Sequence, residues 1–283
     1  MEIKSLQKAV NEKTSAHDSV VSLWQKALQE LEEAKSSKKP LAIDDDVMTS
    51  KWKQLQYIIK NLSSSYLYGL ATGTANCLTP DDLQRYRVLM PMRPELFFET
   101  YFSYLSQILI WDFITTRILA VPMIVWGQTL ADSARNLMET IRYGNSVSKS
   151  DFHAFRAQTG EIMHNATNVD RTTCDSLKTE LKVQVQAFTS PENNEEVTRQ
   201  LNTIIDKAVE LAVIFNQSRC FYHLRVMSRG RKRLFDANTM DKIGNGDSPY
   251  VYSVISPIFS KYGNSKGENY GEGIVLAKAA VLC

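Results

Sequence analysis

The sequence predicts a mainly α fold: a helical bundle with an N-terminal coiled-coil-like arm and a small C-terminal β hairpin. Three observations lead there. The 283 residues contain only 12 glycines and 8 prolines, few for a chain built of many short strands and turns. Apolar residues recur at three- and four-residue spacing through most of the chain up to Phe235, the period of a helix with one buried face. Beyond Phe235 the character changes, and residues 236–283 hold six of the glycines and two β-rich runs. The expected divisions are an arm at 1–35, a linker at 36–46, a helical body at 47–235 and a β-containing tail at 236–283 docked on the body.

In the arm, Ile3, Val10, His17, Trp24 and Leu31 fall on one heptad position and Leu6, Lys13, Val20, Ala27 and Ala34 on another. Eight of these ten seam positions are apolar, as a coiled coil or a packed helical hairpin requires. The linker KSSKKPLAIDDD runs from a basic cluster to three aspartates. Acidic residues favour the positive end of a helix dipole, and Met48, Trp52, Leu55, Ile59 and Leu62 then give a helical face. The small residues of 63–78 predict a loop. Thr79 with Pro80 predicts a short helix ending before Pro91.

The densest apolar and aromatic segment is 94–143, read as two long helices meeting at Val121-Pro122. The chain is expected to be organised around it, with Pro94 in the first turn and Gly144 as the stop. Ser148 starts another helix, with Phe152, Phe155, Ile162 and Met163 on its inner side. Asp170 caps a helix bearing Leu177, Leu181 and Val185. Ser190-Pro191 opens the longest late helix, whose pattern from Val197 through Phe215 and Leu224 predicts that it reaches Arg229, with Gly230 ending it. In the tail, 250–255 and 273–282 are expected to pair as a hairpin, which needs the body for support because a lone hairpin is marginal in water.

Composition excludes little. Hydrophobic residues at 43%, charged residues at 23% and a net charge of +2 are ordinary, and imply no general attraction to nucleic acid or acidic lipid. Four scattered cysteines and no apolar leader lead to an expected intracellular site, cytoplasmic or nuclear, with reduced thiols; the Asn-x-Ser/Thr triplets are then chance matches. Asp112, Arg117 and Pro122 interrupt the apolar run at 101–131, so no stable membrane span is expected.

Asp112 is the candidate buried polar residue. At 100° per residue the central helix has a polar strip of Glu99, Ser103, Ser106 and Arg117, and Asp112 falls opposite it. A carboxylate buried there needs a cation or several hydrogen bonds, for which Arg135, Arg142 or a tyrosine would serve. Arg225, Arg229, Arg231, Lys232 and Arg233 form a basic patch, with Arg219 before it and no acidic residue between Glu210 and Asp236. It reads as cations at a helix C-terminus, as an import signal, or as a surface for phosphate-bearing partners. No signature of sequence-specific nucleic-acid recognition accompanies it.

Glu161 and His164 have the spacing of di-iron carboxylate bundles, but only one such copy exists; Cys220 and His223 alone do not make a zinc site. No metal, no cofactor and no catalytic residue is therefore assigned, and the phosphate-loop, nucleophile-elbow and dinucleotide motifs are missing.

SKWKQLQYIIKNLSSSYL (50–67) and the tail VYSVISPIFSKYGNSKGENYGEGIVLAKAAVLC (251–283) resemble uncharacterised filamentous-fungal proteins with an N-terminal coiled coil and a helical domain. The two stretches cover under a fifth of the chain. That group carries no assigned activity, so the resemblance implies only the layout and a fungal origin. The expected function is a non-catalytic interaction or scaffold protein acting through helical surfaces, with a protein partner, or a second copy, bound by the N-terminal helix. The alternatives are a helical pore-forming or membrane-disrupting protein, and a helical enzyme or small-molecule binder centred on Asp112.

Overall fold

The computed structural model describes residues 43–67, 102–143, 147–225, 233–244 and 248–283, with the side chains of 142 and 143 excepted. All belong to one compact unit, Leu41–Cys283. The coiled-coil arm, the helix at Thr79 and the Pro94 helix start lie outside the described residues, as does the Gly144 stop. Within them the fold is mainly helical, six α-helices followed by a small strand region.

Helix α1, Asp45–Tyr66, is opened by Asp44, whose carboxylate accepts from the Asp46 amide at 3.2 Å. Met48, Trp52, Leu55, Ile59 and Leu62 are all fully buried, as their spacing predicts. The helix runs on through Ser63–Tyr66, into the segment expected to be a loop. The deciding fact is that Ser63 falls on the same inward stripe, so burial overrides its poor helix propensity.

Helix α2, Phe102–Phe113, is buried at every position from Leu105 to Trp111. It has no polar strip, and it is surrounded on all sides like other helices that are apolar all round. Ser106 sits fully buried, its hydroxyl donating to the Ser103 carbonyl at 3.1 Å. The chain then widens into a π-helix, Ile114–Leu119, closed by the Ala120 amide donating to the Thr115 carbonyl at 2.9 Å. One extra residue in the turn rotates everything after it relative to a regular helix.

The second helix expected from Pro122 begins six residues later. Met123 takes a left-handed conformation (φ 61°), Ile124–Trp126 form a 3-10 turn, and Gly127 follows at φ 117°. Helix α3 is then Gln128–Tyr143. Helix α4, Lys149–Thr167, is capped by Ser148, whose hydroxyl accepts from the Asp151 amide. Asp170 caps α5, Arg171–Val185, by accepting from the amides of Thr172 and Thr173. Leu177, Leu181 and Val185 are buried on it, as expected.

A 3-10 turn at Pro191–Asn193 leads into α6, Asn194–Gln217. Helix α6 is the hub: α1, α4, α5 and the π turn all pack on it. It ends at Gln217 rather than near Arg229, because Ser218 turns extended (ψ 139°) and Phe221–Arg225 becomes strand β1. Leu224 continued the spacing by coincidence, while the aromatic run FYHLR favours a strand.

The strand region is larger than a hairpin and starts before residue 236. Besides β1 it contains β2 Arg233–Leu234, β3 Met240–Ile243, β4 Tyr250–Val251, β5 Ser253–Val254, β6 Ile258–Tyr262, β7 Gly273–Ala277 and β8 Ala279–Leu282. They form sheets ordered β1-β6-β7, β2-β4 and β3-β8-β5. The expected pairing survives only where β5 meets β8, antiparallel with Val254 opposite Val281. β6 takes β7 instead, and β8 also pairs in parallel with β3.

The first sheet joins the helical core through Phe259, whose ring stacks on Trp52 at 4.6 Å and on Phe215 at 5.7 Å. Trp111 completes the stack, 4.8 Å from Trp52. Met240, Val251, Ile258, Ala279 and Val281 make a separate small cluster among the strands. Lys261 to Asp45 and Lys51 to Glu210 tie α1 to the sheet and to α6.

Candidate functional site

The most unusual chemistry lies where α4 crosses the end of α6. A helix normally hides its apolar side, yet α4 buries His153, Arg156, Ala157 and Gly160. Of the four apolar residues expected on one side, Phe152 and Met163 pack partly buried against the core, while Phe155 and Ile162 are 37% and 55% exposed. Two local causes explain why polar and small residues take the innermost positions. At Gly160 an added Cβ would sit 2.5 Å from the Asn216 carbonyl oxygen, so only glycine lets the two helices come this close. One turn away, Arg156 reaches two carbonyls of the turn that follows α6.

Arg156 is 8% exposed, and its Nη2 donates to the carbonyls of Ser218 at 2.7 Å and Cys220 at 2.6 Å. Ser218 is the C-cap of α6, where a helix carries partial negative charge and open carbonyls, and the Cys220 carbonyl in the turn beyond is the second acceptor for Arg156. Its guanidinium also lies 5.8 Å from the Phe221 ring centroid, within cation–π range. Burial pushes this guanidinium down to about 10, partly offset by the nearby Tyr270, Cys220 and Tyr222; it remains charged at neutral pH.

Aromatic rings close the site. His153 stacks on Phe221 at 5.1 Å and on Tyr270 at 4.7 Å, and the Tyr270 hydroxyl donates to the Arg219 carbonyl at 2.6 Å. On strand β1, Phe221 is followed by His223, 5.9 Å away. Burial, then Arg225, holds the His223 imidazole below its ordinary value, so it is neutral at physiological pH. Burial pushes the Cys220 thiol up, as it does the Cys174 thiol on α5. Both stay protonated, and it is the thiolate that reacts. The arrangement binds carbonyls and stacks rings.

A second unusual place is the junction between α4 and α5. Asn168 has φ 54° and ψ −179°, a region that side chains other than glycine's rarely occupy. The following Asp170 donates its amide to the Val125 carbonyl at 2.8 Å, fastening the junction to the 3-10 turn that carries Trp126. The ring of His164 approaches Trp126 edge-on at 6.4 Å.

The residues expected from sequence fall elsewhere. Asp112 is only partly exposed, between the buried Trp111 and Phe113. The polar strip expected opposite it does not hold at Ser106, which is fully buried. Arg117 is exposed and pairs with Glu180 at 2.8 Å, and Arg135 lies 4.0 Å from Asp132; the Arg142 side chain is outside the described residues.

Arg225 and Arg233 are exposed and sit on β1 and β2, so neither complements a helix C-terminus. Arg229, Arg231 and Lys232 lie outside the described residues. Cys220 and His223 belong to the turn and strand after α6, not to one helix face. Among the described residues no group of three or more His, Cys, Asp or Glu side chains is placed to share a metal ion. No described helix is long and apolar enough to cross a membrane.

Arg156 was not picked out from the sequence. Its signal was faint: an arginine, an alanine and a glycine at 156, 157 and 160 mark a close helix crossing with a cation in it, but the same pattern occurs on solvated faces. The chain matches no known family, no curated protein and no solved structure.

Proposed function

We propose that the chain is a non-catalytic interaction or scaffold protein acting through helical surfaces. The observation that supports this reading is the outward face of α4. Phe155 and Ile162 stand in solvent, with Gln158 and Asn165 between and beyond them on the same stripe. This helix turns an arginine inward and leaves a phenylalanine and an isoleucine in water. A stripe one helix wide that alternates these two apolar side chains with amides fits an amphipathic partner helix. The heptad from Ile3 to Ala34 is a second surface of the same kind in this reading.

The test is to capture proteins bound to the intact chain, to a chain without residues 1–35, and to Phe155→Ser/Ile162→Ser. The reading expects each change to remove a defined partner that the intact chain retains when the purified components are mixed. Identical retention by all three would overturn it. The reading also places the protein in the cytoplasm or nucleus. If the basic segment directs import, replacing Arg231, Lys232 and Arg233 with alanine shifts the protein out of the nucleus, and an unchanged distribution removes that role.

A further inference from the structure

Strand β7 is an edge of the β1-β6-β7 sheet, and among the described residues β6 is its one partner. Its first three residues, Gly273, Ile274 and Val275, are all exposed, Ile274 at 58%. An open edge offers a row of backbone donors and acceptors to any other strand, and proteins usually guard it with charge or proline. Between Glu272 and Lys278 this edge reads Gly-Ile-Val-Leu-Ala, with neither.

The strand is nonetheless firmly held. The Tyr262 ring covers the cross-strand Gly273 so closely that a Cβ there would lie 2.6 Å from it, the packing by which an aromatic residue stabilises an edge glycine. One guarding feature is present: the register slips at Leu276, where β7 has one residue more than β6.

The segment is self-complementary when read antiparallel about Val275. Val275 then opposes itself, Ile274 opposes Leu276, Gly273 opposes Ala277, and Glu272 opposes Lys278. Opposite charges thus meet at both ends of an apolar centre, and both are exposed. The two-fold also sets the slipped half of each strand against the regular half of the other. Lys278 already donates to the Ala237 carbonyl at 2.6 Å and lies 3.6 Å from Asp241, but ion pairs as exposed as this one are weak and yield to a better-placed carboxylate.

We infer that β7 pairs antiparallel with β7 of a second copy, about a two-fold axis at Val275, joining two three-stranded sheets into one. The partner is the chain itself, because its own sequence supplies complementary charges at matching positions, Glu272 and Lys278, on either side of Val275. The interface is small, so the association is weak, with a Kd of roughly 100 μM. It goes beyond the helical surfaces proposed above and does not depend on them.

The test is sedimentation velocity on the full chain over a concentration series extending to several times that Kd. Val275→Lys places two ammonium groups face to face and abolishes the dimer, while Val275→Thr keeps it. Glu272→Lys alone and Lys278→Glu alone each weaken association roughly tenfold, and the two together restore it. Circular dichroism melts of each variant separate loss of pairing from loss of fold. A wild-type chain that stays monomeric across the series overturns the inference. So does a dimer that survives Val275→Lys, which would locate the contact elsewhere, or a double exchange that fails to restore pairing in folded protein.

Discussion

One nitrogen of Arg156 donates to both the Ser218 and the Cys220 carbonyls, at 2.7 and 2.6 Å, so α4 is fastened to the turn that ends α6. Arg156→Met fills the space but leaves two buried carbonyls without their donor. We expect a loss of about 2–4 kcal/mol in urea denaturation. Arg156→Lys keeps a cation on a shorter reach and recovers part of it. A loss below 1 kcal/mol for Arg156→Met, within the range of ordinary surface changes, would mean the carbonyls are satisfied without it.

The close crossing gives a paired prediction. Gly160→Ala drives a methyl group into the Asn216 backbone and is expected to cost about 2–3 kcal/mol. At Gly271 an added Cβ meets nothing within 4 Å, and Gly271→Ala is expected to change stability by less than about 0.5 kcal/mol. Equal effects at the two sites would contradict the geometry.

Asn168 predicts a stabilising substitution. Its backbone sits where glycine is comfortable and other residues are not, at a cost of order 1–3 kcal/mol. The loss of chain stiffness in the unfolded state takes back part of the gain. Asn168→Gly is therefore expected to raise stability by about 1 kcal/mol, seen as a higher denaturation midpoint with unchanged slope. A destabilised variant would show that the side chain matters more than the backbone.

Glu196, in the first turn of α6, accepts from Arg199 at 2.6 and 2.8 Å and from Gln200 at 2.7 Å. These bonds, Arg199's first, hold its carboxyl at about 2 instead of 4.5. Because the folded value is the lower one, the stabilisation is complete above pH 4.5 and disappears as pH falls through about 2. Carbon-detected NMR titration should give a midpoint near the lower value, and Arg199→Ala should move it up towards 4.5. An unmoved midpoint would assign the shift to Gln200.

What the sequence revealed and what it hid divides along physical lines. Helix α1 was legible because Met48, Trp52, Leu55, Ile59 and Leu62 on its inward stripe are apolar and regularly spaced, and the caps Ser148 and Asp170 were legible because capping is a local hydrogen bond. Three features were not. The facing of α4 is set by Gly160 and Arg156 meeting another helix, and that contact is not in its own periodicity. The polar strip read through Ser106 is broken there, because the Ser106 hydroxyl finds its partner in its own helix and the residue is buried. The strands are two to five residues long and pair across long separations, so their partners are chosen by the assembled body. The segment 94–143 attracted attention by aromatic density, but α6, with its plainer composition, is what the other helices gather around.

Strand β8 is made after all seven others, yet it is the middle strand of its sheet, with β3 on one side and β5 on the other. Until Ala279–Leu282 arrives, β3 and β5 have no neighbour within that sheet and the cluster around Met240 and Val251 has no floor. A chain growing from its N-terminus can assemble the helices early, but this sheet must wait. During synthesis this sheet can close only after Ala279–Leu282 has been made.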